Sequence, residues 1–93
     1  MAFSYSDENF TVVGNLCFVH FRTMTAGNKK VVIPPALGER MLTDEFFVQG
    51  YSVISDGSKS SDISVYVSKQ FISYNALYEN TYVCFFFPID SNK

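Results

Sequence analysis

Tryptophan is missing from the 93-residue chain, histidine occurs once, cysteine twice and proline three times, and only 17% of residues are charged. Each scarcity excludes something. A single histidine, His20, cannot form a cluster of imidazole metal ligands, and any acid–base pair would rest on that one ring. Its alternation with Phe18 and Arg22 reads as a partly buried structural residue. Cys17 and Cys84 stand far apart in strongly apolar runs. That spacing is neither the close pairing of a zinc site nor a redox motif with two residues between the thiols. They read as two buried free thiols acting as small hydrophobes, with a disulfide joining the first and last parts of a sheet as the alternative.

The serines include no Gly-x-Ser-x-Gly elbow, and no glycine loop of the phosphate-binding kind occurs. Asp44 and Glu45 are adjacent and would point to opposite faces of a strand, a poor arrangement for a shared substrate. Asp56 and Asp62 flank one hairpin tip, but a calcium loop needs more oxygen ligands at tighter spacing. No cofactor or metal is expected, and the chain reads as non-enzymatic. A catalytic reading would need a pocket that gathers His20 with a carboxylate.

No run approaches the roughly 18 apolar residues of a membrane span. The first eight residues, read as an N-terminal extension, lack the basic start and apolar core of a signal peptide. The expected location is therefore the cytoplasm, or the outside by another route such as a particle released by lysis. With a net charge of −2, a pI near 5.1 and seven scattered basic residues, the chain does not read as a nucleic-acid binder. Lys29-Lys30, the adjacent basic pair, reads as a solvated turn or strand end.

What is present is aromatic: ten Phe and six Tyr, residue types that suit a pleated sheet surface. Strand patterns run through residues 10–13, 16–25, 29–33, 46–55, 61–68, 71–74 and 81–87. Gly14-Asn15 marks a turn or bulge, and Ala26-Gly27-Asn28 suggests that 29–33 is the hairpin partner of the preceding strand. Pro34-Pro35 stops that strand. Residues 36–45 form a loop with at most one helical turn, Pro35 suiting its start and Leu37, Met41 and Leu42 sharing a face. Gly50 suggests a bulge or a close backbone approach. Asp56-Gly57 signals a hairpin, followed by the cleanest alternation in the chain, with Ile63, Val65 and Val67 on one face. The expected fold is all-β: one domain over residues 1–93, a small antiparallel β-sandwich or jelly roll of about six to eight short strands.

A two-layer sandwich allows each strand one face on the core and one in water. Residues 16–21 and 82–87 are apolar on both. If Val83, Phe85 and Phe87 fill the core, Tyr82, Cys84 and Phe86 form a second apolar face, read as an oligomer interface. The alternative is that Phe3 and Tyr5 fold over that face. For ligand binding the candidates are Tyr74, Asn75 and Tyr78, read as a loop cluster able to stack on a sugar ring and bond its hydroxyls, or otherwise as loop anchors.

The order of elements resembles the C-terminal β-sandwich tip domains of bacteriophage tail fibres and baseplate receptor-binding proteins. The resemblance covers about residues 9–88. It rests on the Gly14-Asn15 turn opening the strand Leu16-Cys17-Phe18-Val19, and on the proline-containing segment Ile33-Pro34-Pro35-Ala36-Leu37-Gly38-Glu39-Arg40-Met41. The alternating strand over 61–68 and the closing apolar strand over 81–87 complete it. Met41 stands where the family typically carries a second proline. The resemblance implies a homotrimer at a fibre end on a virion, attaching to a host-surface saccharide. It transfers no binding residue. The alternatives are a structural capsid-decoration or trimerisation domain without ligand, and a monomeric carbohydrate-binding module.

Overall fold

The structure, a computed structural model, describes residues 3–90. Seven strands and one helical turn follow in order: β1 (Phe10–Val13), β2 (Leu16–Thr23), β3 (Gly27–Val32), α1 (Pro35–Gly38), β4 (Glu45–Ile54), β5 (Ser60–Ser68), β6 (Phe71–Ala76) and β7 (Thr81–Pro88). They form one sheet in the order β1-β2-β7-β4-β5-β6-β3, with every neighbouring pair antiparallel. The fold is all-β and antiparallel, as the aromatic and β-branched patterning predicts.

The order forces the sheet to curl. β2 and β3 are joined by residues 24–26 alone, yet five strand spacings separate them in the ladder, about 24 Å in a flat sheet. Four Cα steps reach at most roughly 14 Å. The far end of the sheet therefore folds back on β2. The hydroxyls of Thr23 and Tyr74 hydrogen-bond to each other, and the Phe21 and Tyr74 rings lie 5.3 Å apart. The curl brings the two ends of one continuous sheet toward each other.

Within the curl lies one core, in which Val19, Val65, Val67, Ile72, Val83 and Phe87 are fully buried. Strict alternation places these side chains. In β7, Thr81, Val83, Phe85 and Phe87 point inward, whereas Tyr82, Cys84, Phe86 and Pro88 point outward. In β5, Ile63, Val65 and Val67 take the inner face, as the sequence pattern predicts. The β4–β5 tip carries Gly57 at φ 78°, a left-handed position that suits glycine. α1 is a single turn that begins at Pro35, and it buries Leu37. Met41 is buried as expected, but Leu42 is 61% exposed and does not share that face.

Two local expectations are corrected, and one pair of alternatives is decided. β3 does not pair with β2; it pairs with β6, because β7 and β1 occupy the two sides of β2. Gly50 marks no bulge, since the β4–β5 register runs through it unbroken. It marks a close approach instead, as a Cβ there would sit 3.1 Å from Val65 Cγ2. Residues 71–76 form a strand in their own right, so Tyr74 and Asn75 are not loop residues.

Candidate functional site

The outward face of β2, β7 and β4 is built by the same alternation that fills the core. Phe18 of β2 pairs with Phe86 of β7, and their rings stand 5.5 Å apart. His20 pairs with Cys84, and Arg22 with Tyr82, its guanidinium 5.7 Å from the ring centroid. On the other side of β7, Tyr51 of β4 pairs with Cys84 and Val53 with Tyr82. Phe86 is 53% exposed, Tyr82 47%, Tyr51 46% and Phe18 38%. Large side chains thus lie next to one another across three strands with one side in water. Further along, Phe47, Tyr66 and Phe71 continue an aromatic row over β4, β5 and β6, with successive centroids 5.4 and 5.8 Å apart. The Tyr66 hydroxyl donates to the Glu45 carboxylate, a bond that raises the pKa of the tyrosine.

Among the described residues of the N-terminal segment, Phe3 and Tyr5 do not cover this face. They pack against the core instead, with Phe3 3.8 Å beneath the Arg40 guanidinium. The Val12 N–H donates to the Tyr5 carbonyl, and the Tyr5 hydroxyl donates to Asp7. Asp7 turns the chain into β1 by accepting the backbone N–H groups of Asn9 and Phe10 at 2.8 and 2.7 Å. Those bonds hold its carboxyl below the usual carboxylate range.

Of the residues assigned to the oligomer interface, Tyr82, Cys84 and Phe86 all lie on the outward face. Those assigned to ligand binding do not come together. Tyr74 is 5% exposed and points into the core, where burial raises the pKa of its phenol. Asn75 points to the opposite side of the sheet, and Tyr78 lies beyond β6 with the Lys59 ammonium 5.2 Å from its ring centroid. The missed signal was period two: Ile72, Tyr74 and Ala76 are inward, and Ser73 and Asn75 are outward.

The cysteines are free, but only Cys17 is buried; Cys84 is exposed. They stand on adjacent strands and point to opposite faces of the sheet, which rules out a bond between them in this fold. Burial pushes the Cys17 thiol up to about 12. His20 is likewise exposed rather than partly buried, because its position has outward parity in β2. It shares a shallow hollow of about 270 Å³ with Glu8, Arg22, Tyr82 and Cys84. The hollow thus contains a histidine, a carboxylate and a thiol. No hydrogen bond among the described residues reaches the imidazole or the Cys84 thiol. Among the described residues, no group of three or more metal-ligating side chains is assembled anywhere.

Thiol labelling checks this placement. One thiol per chain, Cys84, is expected to react with a disulfide reagent under native conditions, and Cys17 only on unfolding, since the thiolate is the reacting form. The rate at Cys84 should be unchanged in His20→Ala. A tenfold fall, about 1.4 kcal/mol in the barrier, would mean that the imidazole activates the thiol.

No family model, curated protein or solved structure matches the chain. The class that the described residues define is an antiparallel all-β domain with an aromatic outer face. No described helix is long and apolar enough to cross a membrane.

Proposed function

We propose that this chain is a non-enzymatic assembly module whose copies are held together by the outward faces of β2, β7 and β4. The observation that carries the reading is the contiguous exposed face of Phe18, Phe86, Tyr82 and Tyr51. A small monomer seldom leaves large apolar groups adjacent over several strands, because removing such area from water stabilises association by about 25 cal/mol per Å². Aromatics and an arginine at the centre, with few other charges, are also what protein interfaces favour. The likeness to tail-fibre tips favours three copies on a virion and an attachment role. A host-surface saccharide as ligand rests on that likeness alone, and Asn75 and Tyr78 are the surface residues left to serve it. The same face serves a decoration or trimerisation domain equally well, and glycan binding distinguishes the two.

A catalytic reading would use the hollow of His20, Glu8 and Cys84. Against it stand the unoriented imidazole and a volume below the roughly 300 Å³ at which small-molecule sites begin.

The test is the solution mass across a concentration series. A stable species at a multiple of 10.5 kDa supports the assembly reading, and three copies support the fibre-tip form of it. A monomer at every concentration refutes both.

A further inference from the structure

A seven-stranded sheet that does not close has two edges, and here they are treated differently. At β1 the N-terminal segment backs the edge: Ser6 bridges Thr11, and the Val12 N–H bonds the Tyr5 carbonyl. At the other end, β3 bonds to β6 alone among the described strands. The Ile33 N–H donates to the Gln70 carbonyl at 2.9 Å, one step beyond the Val32–Phe71 pair. Bonded and non-bonded pairs alternate in an antiparallel ladder. Gly27, Lys29 and Val31 therefore turn their backbone groups to β6, and Asn28, Lys30 and Val32 turn theirs to the open side.

This open side faces a cleft rather than bulk water. The cleft holds about 510 Å³ between β3 and the end of β2, and Arg22, Lys29, Lys30, Val31 and Tyr74 line it. Three of the chain's seven basic residues line it, on a molecule of net charge −2, with Glu8 the one carboxylate among the lining residues. Lys29 turns to the inner face and bonds Thr25, while Arg22 and Lys30, the latter 4.0 Å from the centre of the Phe71 ring, lie on the outer face. Val32, at the end of the same edge, is 75% exposed and forms one wall of a second hollow. That hollow, of about 560 Å³, is lined also by Pro35 and Gly38.

Lysines on an edge strand commonly serve to discourage pairing. A strand built only for that purpose has no reason to keep six residues of open edge, a cleft beside it and an exposed valine at its end. We propose that the open edge of β3 accepts an extended acidic peptide of a partner protein as an eighth strand. Its main chain bonds Asn28, Lys30 and Val32, and its carboxylates, all on one face, meet Arg22 and Lys30, whose side chains share the outer face. An apolar side chain at one end enters the hollow beside Val32. Strand addition divides the work in this way, with main-chain bonds supplying affinity and side-chain contacts supplying selection. Five residues of strand span roughly 17 Å, enough to run from the cleft to the hollow.

The test uses fluorescence anisotropy of the full chain with labelled peptides of about six residues. One alternates glutamate and valine and ends in leucine. A second carries lysine in place of glutamate, and a third is the first with proline at its centre. Binding of the acidic peptide, weakened about tenfold or more by the lysine exchange and by the central proline, is the expected result. Lys30→Pro removes a donor that faces the open side and spares the bonds to β6, so it should abolish binding. Lys30→Glu provides the same reading if the proline variant fails to fold. The proposal is overturned if the acidic peptide does not bind, if both charge forms bind alike, or if neither Lys30 variant weakens binding. It is also overturned if either Lys30 variant dissociates an oligomer of this chain, since the edge would then belong to a second copy.

Discussion

Phe86→Asp is expected to convert the assembled protein into monomers while leaving its far-ultraviolet circular dichroism unchanged. Phe86 points outward from β7 and is about half exposed in the single chain, so an aspartate there stays hydrated in the monomer. In an assembly the same carboxylate would be buried beside Phe18, whose ring is the nearest aromatic partner of Phe86. Leaving a charge buried without a partner costs several kcal/mol; taking about 4 kcal/mol, association weakens roughly a thousandfold. The mass from light scattering should fall to the 10.5 kDa of one chain. Asn75→Asp, elsewhere on the outer surface, should leave the mass as it was. An unchanged mass for Phe86→Asp moves the interface away from β7, whereas loss of the circular dichroism signal means that Phe86 supports the fold instead.

A second large effect is expected at Gly38, where a single methyl group meets backbone. A Cβ there would lie 2.2 Å from the Lys69 carbonyl oxygen and 3.2 Å from its carbonyl carbon. Neither side is free to retreat. The Gly38 N–H is bonded to the Pro34 carbonyl at 3.1 Å, and its own carbonyl accepts from Met41. Opposite, Ser68 Oγ accepts the N–H groups of Gln70 and Phe71, and the Gln70 carbonyl is bonded by Ile33. Gly38→Ala must therefore push α1 off the β5–β6 turn. Overpacking of this kind costs about 3 kcal/mol, which for a domain of this size lowers the melting temperature by roughly 12–24 °C. Thermal denaturation followed by circular dichroism checks it. A melting temperature within two or three degrees of the parent, about half a kcal/mol, would mean that the contact relaxes freely.

Much of the fold was legible because it is written in local signals. Alternation in residues 63–67 and 82–87 assigned inner and outer faces, Asp56-Gly57 marked a hairpin, and Pro34-Pro35 ended one strand and opened α1. The parity argument also singled out Tyr82, Cys84 and Phe86 as a face apart from the core. The partner of β3 was not legible, because strand pairing is a property of the whole ladder. The turn residues 26–28 favour a hairpin with β2, but both sides of β2 are taken by β1 and β7, one of them from the other end of the chain. The ligand cluster failed for a related reason. Tyr74-Asn75 looks like a polar loop when read residue by residue, and like a strand when read every second residue. His20 and Cys84 were misplaced because a strand apolar on both faces does not say which of its faces is covered.

The position of β7 has a consequence for how the chain comes to be folded. Of the described strands, the last in chain order is the third in the ladder, inserted between β2 and β4, and no pairing between described strands joins β1-β2 to the remainder without it. A nascent chain ending before Thr81 can form the β1–β2 hairpin and the β4–β5–β6 meander with β3 at its edge, but these meet only through contacts such as Thr23–Tyr74 and Phe21–Tyr74, without a shared ladder. The inner faces of Val19, Val65 and Val67 then stay open to solvent or to a chaperone. The ladder of the described strands is completed only when β7 is available. Pauses in translation upstream of Thr81 would lengthen the time for which those faces are available to other chains.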